Sequence, residues 1–359
     1  MNRQVKGQNM VFHDGIIVLT IWANSRKMTL HSSLFTLHVK GTLMRLGVVG
    51  MLPNTLQPAA DDQSTETRMI GVTGNQVVHM LPNDFRTFTS NQFDSVLEMG
   101  FTGFGHHFGG DPTTVTEEEC GHGCEIWEPL GLEMAQFLLL YGECLFDPDE
   151  TVRRRVINKI HAGNRMARYL KAGAHLIRPG SLNPAGSWTP HPDNHTSDSI
   201  DRFVHSLREI GDDAETNGVT VVVECHVVSI MRNPDICVEV IERVDSPRIR
   251  VVMDPVNHFE SIHQAFNSTA QLNYIFDRLG PISPIGHAKD IRVGNDLVSH
   301  LDEEVPGEGM LDYKTFLTRF QAINPDGYLL FEHIPPEKIP AANAFVRRVA
   351  AEVGVEIYG

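Results

Sequence analysis

A chain of 359 residues with 41% hydrophobic content is long enough to bury the core of a large single domain. Its formal net charge of −15 argues against nucleic acid as a partner, because such binding draws most of its affinity from Lys and Arg neutralising phosphates. Its five cysteines, Cys120, Cys124, Cys144, Cys225 and Cys237, are odd in number and scattered, which predicts no disulfide framework and a reducing, cytoplasmic setting.

Residues 1–43 carry Lys and Arg with a single acid, Asp14, and show no alternation of strand and helix. Within them the apolar stretch 15–23 is as long as a signal-peptide core and too short to span a bilayer, so no membrane is expected as a partner. We read 1–43 as an extension outside the fold and 44–359 as the domain. A chain starting at Met44 is therefore expected to keep the thermal midpoint and turnover of the full chain; a loss of several degrees on truncation would make the extension part of the fold.

From Met44 onward, apolar runs near 46–51, 101–107, 135–140, 173–178, 219–224, 249–254, 283–288 and 328–332 read as strands. Amphipathic patterns lie between them. Asp149 to Ala172 opens on Pro148-Asp149-Glu150 and carries Val152, Val156 and Ile160, while Thr196-Ser197-Asp198 precedes Ile200, Phe203, Leu207 and Ile210 at helical spacing. Further helices start near Leu311 and Glu337. Strand, helix and parallel strand repeated eight times close most simply as a single (β/α)8 TIM barrel. An open doubly wound sheet is the alternative, but Leu52-Pro53-Asn54-Thr55-Leu56 stands where its Gly-rich phosphate fingerprint would follow the first strand.

Four of the apolar runs end on a residue that binds hard metal ions: Val221-Val222-Val223-Glu224, Val251-Val252-Met253-Asp254, Ile285-Gly286-His287 and Leu329-Leu330-Phe331-Glu332. The last residue of such a parallel strand sits at the carboxyl rim, where these barrels place their chemistry. Any one alone has an ordinary explanation, since strands leaving a core often end on an acid and a lone His usually packs in one. The set together matches a mixed oxygen and nitrogen metal site. Cys120-Gly121-His122-Gly123-Cys124 also offers ligand types, but it lacks a second pair and falls where a helix is expected.

These segments, with Val-Met-Asp254-Pro-Val-Asn257-His258, Gly-His287-Ala-Lys289-Asp290, Gly307-Glu-Gly309-Met-Leu-Asp312-Tyr313 and Leu-Phe-Glu332-His333, resemble the xylose-isomerase-like superfamily, in particular its sugar phosphate isomerase/epimerase branch. The resemblance implies one divalent ion, Mn2+ or Mg2+ with Co2+ or Zn2+ able to substitute, held by Glu224, Asp254, His287 and Glu332. It also implies that Glu224 and Glu332 move protons as the catalytic acid and base through a metal-stabilised enediolate. The substrate it implies is a small carbohydrate, and a homo-oligomer is left open. Endonucleases of the superfamily carry a His three residues after the strand-six Asp, where this chain has Asn257, and the strand-three end Leu138-Leu139-Leu140-Tyr141 supplies none either. The Arg that ketose epimerases place six residues after the strand-seven His is Val293 here, beside Arg292. The His-Ala-Lys-Asp form is closer to inosose-dehydratase-like members. A dehydratase or β-eliminating lyase acting on a 3-keto sugar, glycoside or inosose is thus the alternative, and a barrel that binds carbohydrate without turnover is a third.

Alternation along strands nominates the substrate residues, since positions two apart face the same way. His226 follows Glu224 towards the mouth, and Lys289 follows His287 either to contact substrate or to pair with a ligand carboxylate. Asn257 and His258 follow Asp254 directly. Arg178 ends the fourth strand, where a rim Arg anchors an anion or orients a carboxylate. The Pro- and Gly-rich stretch 179–191 reads as a substrate loop, with Trp188 offering an apolar face to a sugar ring. At the end of the second strand, His106 or His107 reaches the mouth, and His107 is the residue we assign to substrate.

Overall fold

The computed structural model describes residues 12–13, 16–17, 43–49, 81–295 and 297–358. The Leu52 loop and most of the N-terminal extension lie outside them. Contacts divide the chain into Met1–Gly41 and Thr42–Gly359. In the first unit, Phe12–His13 pairs antiparallel with Ile16–Ile17.

The second unit is a barrel. Its first seven strands are β1 (Met44–Val49), β2 (Gly103–Phe108), β3 (Glu133–Leu139), β4 (Ala174–Ile177), β5 (Val221–Val223), β6 (Ile249–Val251) and β7 (Gly286–Ala288). A hairpin, β8 (Asp290–Val293) with β9 (Leu301–Glu304), precedes the eighth barrel strand, β10 (Tyr328–Phe331). Neighbouring barrel strands are parallel in the order β6-β5-β4-β3-β2-β1-β10-β7. The ring closes at a parallel bridge between Met253 and Gly286, where the His287 N–H donates to the Met253 carbonyl at 2.9 Å. All eight strands fall where the apolar runs predict them. The short β11 (Ile357–Tyr358) adds a parallel pairing beside β1 at Met44 and Arg45.

The helices are α1 (Asp94–Glu98), α2 (Glu117–Trp127), α3 (Glu150–Tyr169), α4 (Ser197–Asn217), α5 (Pro234–Val244), α6 (Ile262–Phe266), α7 (Ser268–Leu279), α8 (Tyr313–Ile323) and α9 (Ile339–Val353). Caps set their starts: the Asp149 carboxylate accepts from the Thr151 N–H and the Thr196 hydroxyl from the Ser199 N–H, satisfying donors that the first helical turn leaves unpaired. Gly218, at φ 70, ends α4 in the left-handed conformation that a glycine adopts without steric cost. Cys120 and Cys124 lie on α2 and, like the other three cysteines, are free and buried. No helix among the described residues is long and apolar enough to cross a membrane.

Alternation sorts the strand side chains into two apolar clusters. One, which includes Val49, Leu138, Leu176, Val222, Val252, Ile285 and Leu330, fills the inside of the barrel. The other packs the outer strand faces against the helices. The hairpin β8–β9 was not foreseen, since its Asp-Glu-Glu run carries no apolar signal. Asp290 at its base accepts backbone N–H bonds from Gly307 at 2.9 Å, Gly309 at 3.2 Å and Leu311 at 2.8 Å, and so pins the return to α8.

One polar group behind the barrel makes stability depend on pH. His175 is fully buried, its Nδ1 2.8 Å from Asn164 Oδ1, and the Asn164 amide donates to Asp213 at 2.7 Å. Burial pushes its pKa down from 6.5 to about 3. Between those values the unfolded chain binds a proton that the native state refuses, so stability is full above the unfolded pKa and falls as pH drops below it. From this histidine alone, unfolding free energy is expected to fall by about 2 kcal/mol between pH 7 and pH 5. In urea denaturation His175→Gln should flatten that slope; equal slopes would remove His175 from the account.

Candidate functional site

The inward layer formed by Val222, Val252, Ile285 and Leu330 continues two residues further along each strand to Glu224, Asp254, His287 and Glu332. All four are buried. One ligand atom from each lies within 4.8 Å of all the others, the span of two donors on opposite sides of an ion at about 2.4 Å. Asp254 Oδ1 is buried and, among the described residues, has no hydrogen-bond partner.

Lys289, only 2% exposed, places its ammonium 2.8 Å from both Asp254 Oδ2 and Glu332 Oε2 and 3.4 Å from Glu303. Of the two roles the sequence leaves open for it, the geometry supplies the ion pair. Asn257 donates to Asp254 Oδ2 at 2.9 Å. His287 sets Nδ1 2.9 Å from Glu332 Oε2, while its Nε2 is 2.8 Å from Gln136 Oε1 across the barrel.

These contacts split the two glutamates. Burial pushes the Glu224 carboxyl up to about 7, helped by the negative charge of Glu332 and opposed by Lys289 and His287. Burial also raises Glu332, but His287 and Lys289 outweigh it and hold the carboxyl well below the usual range. Among these side chains alone His287 is pushed up to about 10, its burial overcome by Glu332 and Asp254.

The remaining predicted residues divide. His226 is half-buried beneath Trp188, ring centroids 5.7 Å apart, so the loop 179–191 does bring its Trp to the mouth. Burial, then the charge of Lys289, lowers the His226 pKa to about 4 and keeps the ring neutral. Its Nδ1 accepts the Val228 N–H at 3.2 Å, which leaves the proton on Nε2. His258 is fully buried, has no hydrogen-bond partner among the described residues on either ring nitrogen, and is pushed down to about 4 by burial. His107 shares the inward side of β2 with Gly105 and is half-buried, whereas His106 packs on the outer face at 4.9 Å from the Phe88 ring. Arg178 pairs with no carboxylate among the described residues: its guanidinium donates to the Tyr141 carbonyl at 2.7 Å and lies over the Tyr141 ring at 5.4 Å.

Three polar residues at the site were not predicted. Glu303 comes from the unforeseen hairpin and bonds His333 at 3.1 Å. His333, at φ 56, is a non-glycine residue in the left-handed region, which sets its ring beside Glu303 at a cost of about 1–2 kcal/mol. Its position next to Glu332 was the available signal. Gln136 lies within a strand that otherwise reads as apolar.

A model of the xylose isomerase-like TIM barrel family matches residues 93–349, and the chain belongs to that family. Solved structures share the fold. A D-tagatose 3-epimerase-like protein is 16% identical with TM-score 0.61, covering 87% of this chain and 98% of its own. A 3-keto-D-glucoside 4-epimerase from E. coli is 16% identical with TM-score 0.57, covering 85% and 99%. A xylose isomerase-like TIM barrel protein from Mycobacterium smegmatis, in complex with magnesium, is 16% identical with TM-score 0.56, covering 74% and 87%. No curated protein sequence matches the chain.

Proposed function

We propose that the protein is a divalent-metal-dependent sugar or keto-sugar isomerase or epimerase. The observation that carries this reading is the convergence of Glu224, Asp254, His287 and Glu332 to within 4.8 Å at the carboxyl rim of the barrel. Neighbours described as keto-sugar epimerases, and one described in complex with magnesium, support it.

The residues fit a metal ion. Three carboxylates and one imidazole are a donor set for Mg2+ or Mn2+, with Co2+ or Zn2+ able to substitute, and Asp254 Oδ1 is already desolvated and unpartnered. Counting Glu303, four carboxylates surround the single lysine Lys289, so a divalent cation relieves repulsion. Bound there, the ion supplies Lewis acidity, drawing charge from a substrate carbonyl and its neighbouring hydroxyl.

The chain supplies the proton transfers. Glu332, held ionised, is suited to take a proton from the carbon beside the carbonyl; Glu224, poised near neutrality, is suited to return one. They rise from β10 and β5, separated around the ring by β7 and β6, and so reach a substrate from different sides. Return to the opposite face inverts the carbon, and return to the neighbouring carbon moves the carbonyl. His226 presents an Nε2–H donor to a sugar oxygen, while Trp188 covers the ring and excludes water.

The lyase alternative needs an acid for the leaving oxygen. Lys289 is committed to three carboxylates, and His226, with a pKa of about 4, carries no spare proton at neutral pH. Glu224, pushed up to about 7, is then the group left for that role, so the readings divide on whether its proton goes to carbon or to a leaving oxygen. The test is a panel of keto-sugars incubated with protein and Mn2+, with products separated by chromatography and weighed by mass spectrometry. An isomer or epimer of unchanged mass is expected; loss of water or an aglycone would replace the reading by a lyase, and recovery of every sugar unchanged would leave a binding barrel.

A further inference from the structure

We infer that Gln136 is a positioning residue, which fixes the tautomer of His287 so that Nδ1 presents its lone pair to the proposed metal site; the inference rests on the metal reading above. His287 is fully buried with its two ring nitrogens facing opposite ways: Nδ1 meets the Glu332 and Asp254 carboxylates, and Nε2 meets Gln136 Oε1 at 2.8 Å. A neutral imidazole carries one N–H, and an ion can be bound only by the nitrogen without it. With the Gln136 carbonyl accepting at Nε2, the proton resides there and Nδ1 is the donor to metal. A buried amide oxygen does this without adding charge to a site already rich in carboxylates.

Alternation and a bulge together line this part of β3 along the barrel interior. Between β2 and β3 the register shifts: Phe104 faces Met134, but the next residue, Gly105, faces Gln136, so Ala135 is an extra residue in β3. Met134, Phe137 and Leu139 belong to the outer apolar cluster, whereas Ala135 and Leu138 belong to the inner one. Gln136 shares the inward face of Leu138 by alternation, and the bulge turns Ala135 inward beside it while Met134 stays on the outer face. Gln136 is 0% exposed there, in an interior otherwise built of apolar side chains at that level. Its bond joins β3 to β7 across 151 positions of sequence.

The test compares Gln136→Met, which keeps length but loses the acceptor, with Gln136→Glu, which keeps an acceptor oxygen. Co2+ affinity by calorimetry and the Co2+ d–d absorption band are read in both, with circular dichroism of the metal-free proteins as the check on folding. Gln136→Met is expected to weaken Co2+ binding by about 10–100-fold and shift the band, and Gln136→Glu to bind within about threefold of wild type. Wild-type affinity in Gln136→Met, or equal losses in both variants, would overturn the inference while leaving the metal site standing. Failure of the wild-type protein itself to bind Co2+ would overturn the metal reading and this inference with it. Should Gln136→Met fail to fold, nitrogen-15 NMR of histidine-labelled, Mg2+-loaded wild-type protein decides, the His287 signals being identified by their loss in His287→Asn. A proton on Nε2 supports the inference, and one on Nδ1 overturns it.

Discussion

Glu332→Gln is expected to lower kcat by about 10²–10⁴-fold while leaving the barrel folded, and Glu224→Gln to do the same. Each substitution keeps the size of the side chain and removes the oxygen that exchanges a proton. The two should differ in pH behaviour. Glu332 is held ionised by His287 and Lys289, so its role as base is already available at the acidic end of the working range. Before an ion binds, burial and the charge of Glu332 push Glu224 up to about 7, so ion binding at neutral pH should release a proton that Glu224→Gln does not. Metal content measured beside turnover separates lost proton transfer from a lost ion. Wild-type turnover in either variant would remove that residue from the acid/base pair.

Chelation is expected to abolish turnover, and added Mn2+ to restore it. It should also lower the thermal midpoint, because the buried carboxylates of Glu224, Asp254 and Glu332 lose a cation that binds only the folded state. At an ion concentration a hundred times its dissociation constant this linkage is worth about 2.7 kcal/mol, or about 4 °C for a chain of this size. Asp254→Asn keeps the shape of the side chain but removes a charge from the ion's surroundings, and its thermal midpoint should respond little to Mn2+. A midpoint that ignores the chelator in wild-type protein would show that these four side chains hold no ion.

The barrel was legible because parallel strands covered on both faces must be continuously apolar, and each such run marked one strand. The convergence of Glu224, Asp254, His287 and Glu332 was legible for the related reason that a polar residue ending an apolar run stands at the rim. What alternation could not supply was anything that interrupts it. The bulge that turns Ala135 inward has no signature in the run Met134-Ala135-Gln136-Phe137-Leu138, and although Gln136 faces inward by alternation with Leu138, the run does not show that its amide meets His287. Glu303 comes from a hairpin of charged residues inserted after β7, without the hydrophobic period by which strands are recognised. The contacts of Arg178 were not legible, because position predicts where a side chain starts but not which neighbour it meets, and Tyr141 offers its guanidinium both a carbonyl and an aromatic face.

The most direct test of the proposed chemistry is turnover in D2O. Incubated with Mn2+ and a keto-sugar that it converts, the protein is expected to give a product carrying one deuterium on the carbon that was inverted or newly protonated, with mass otherwise unchanged, and to incorporate none after chelation. Product formed at the same rate with no deuterium at that carbon would contradict proton transfer through Glu224 and Glu332.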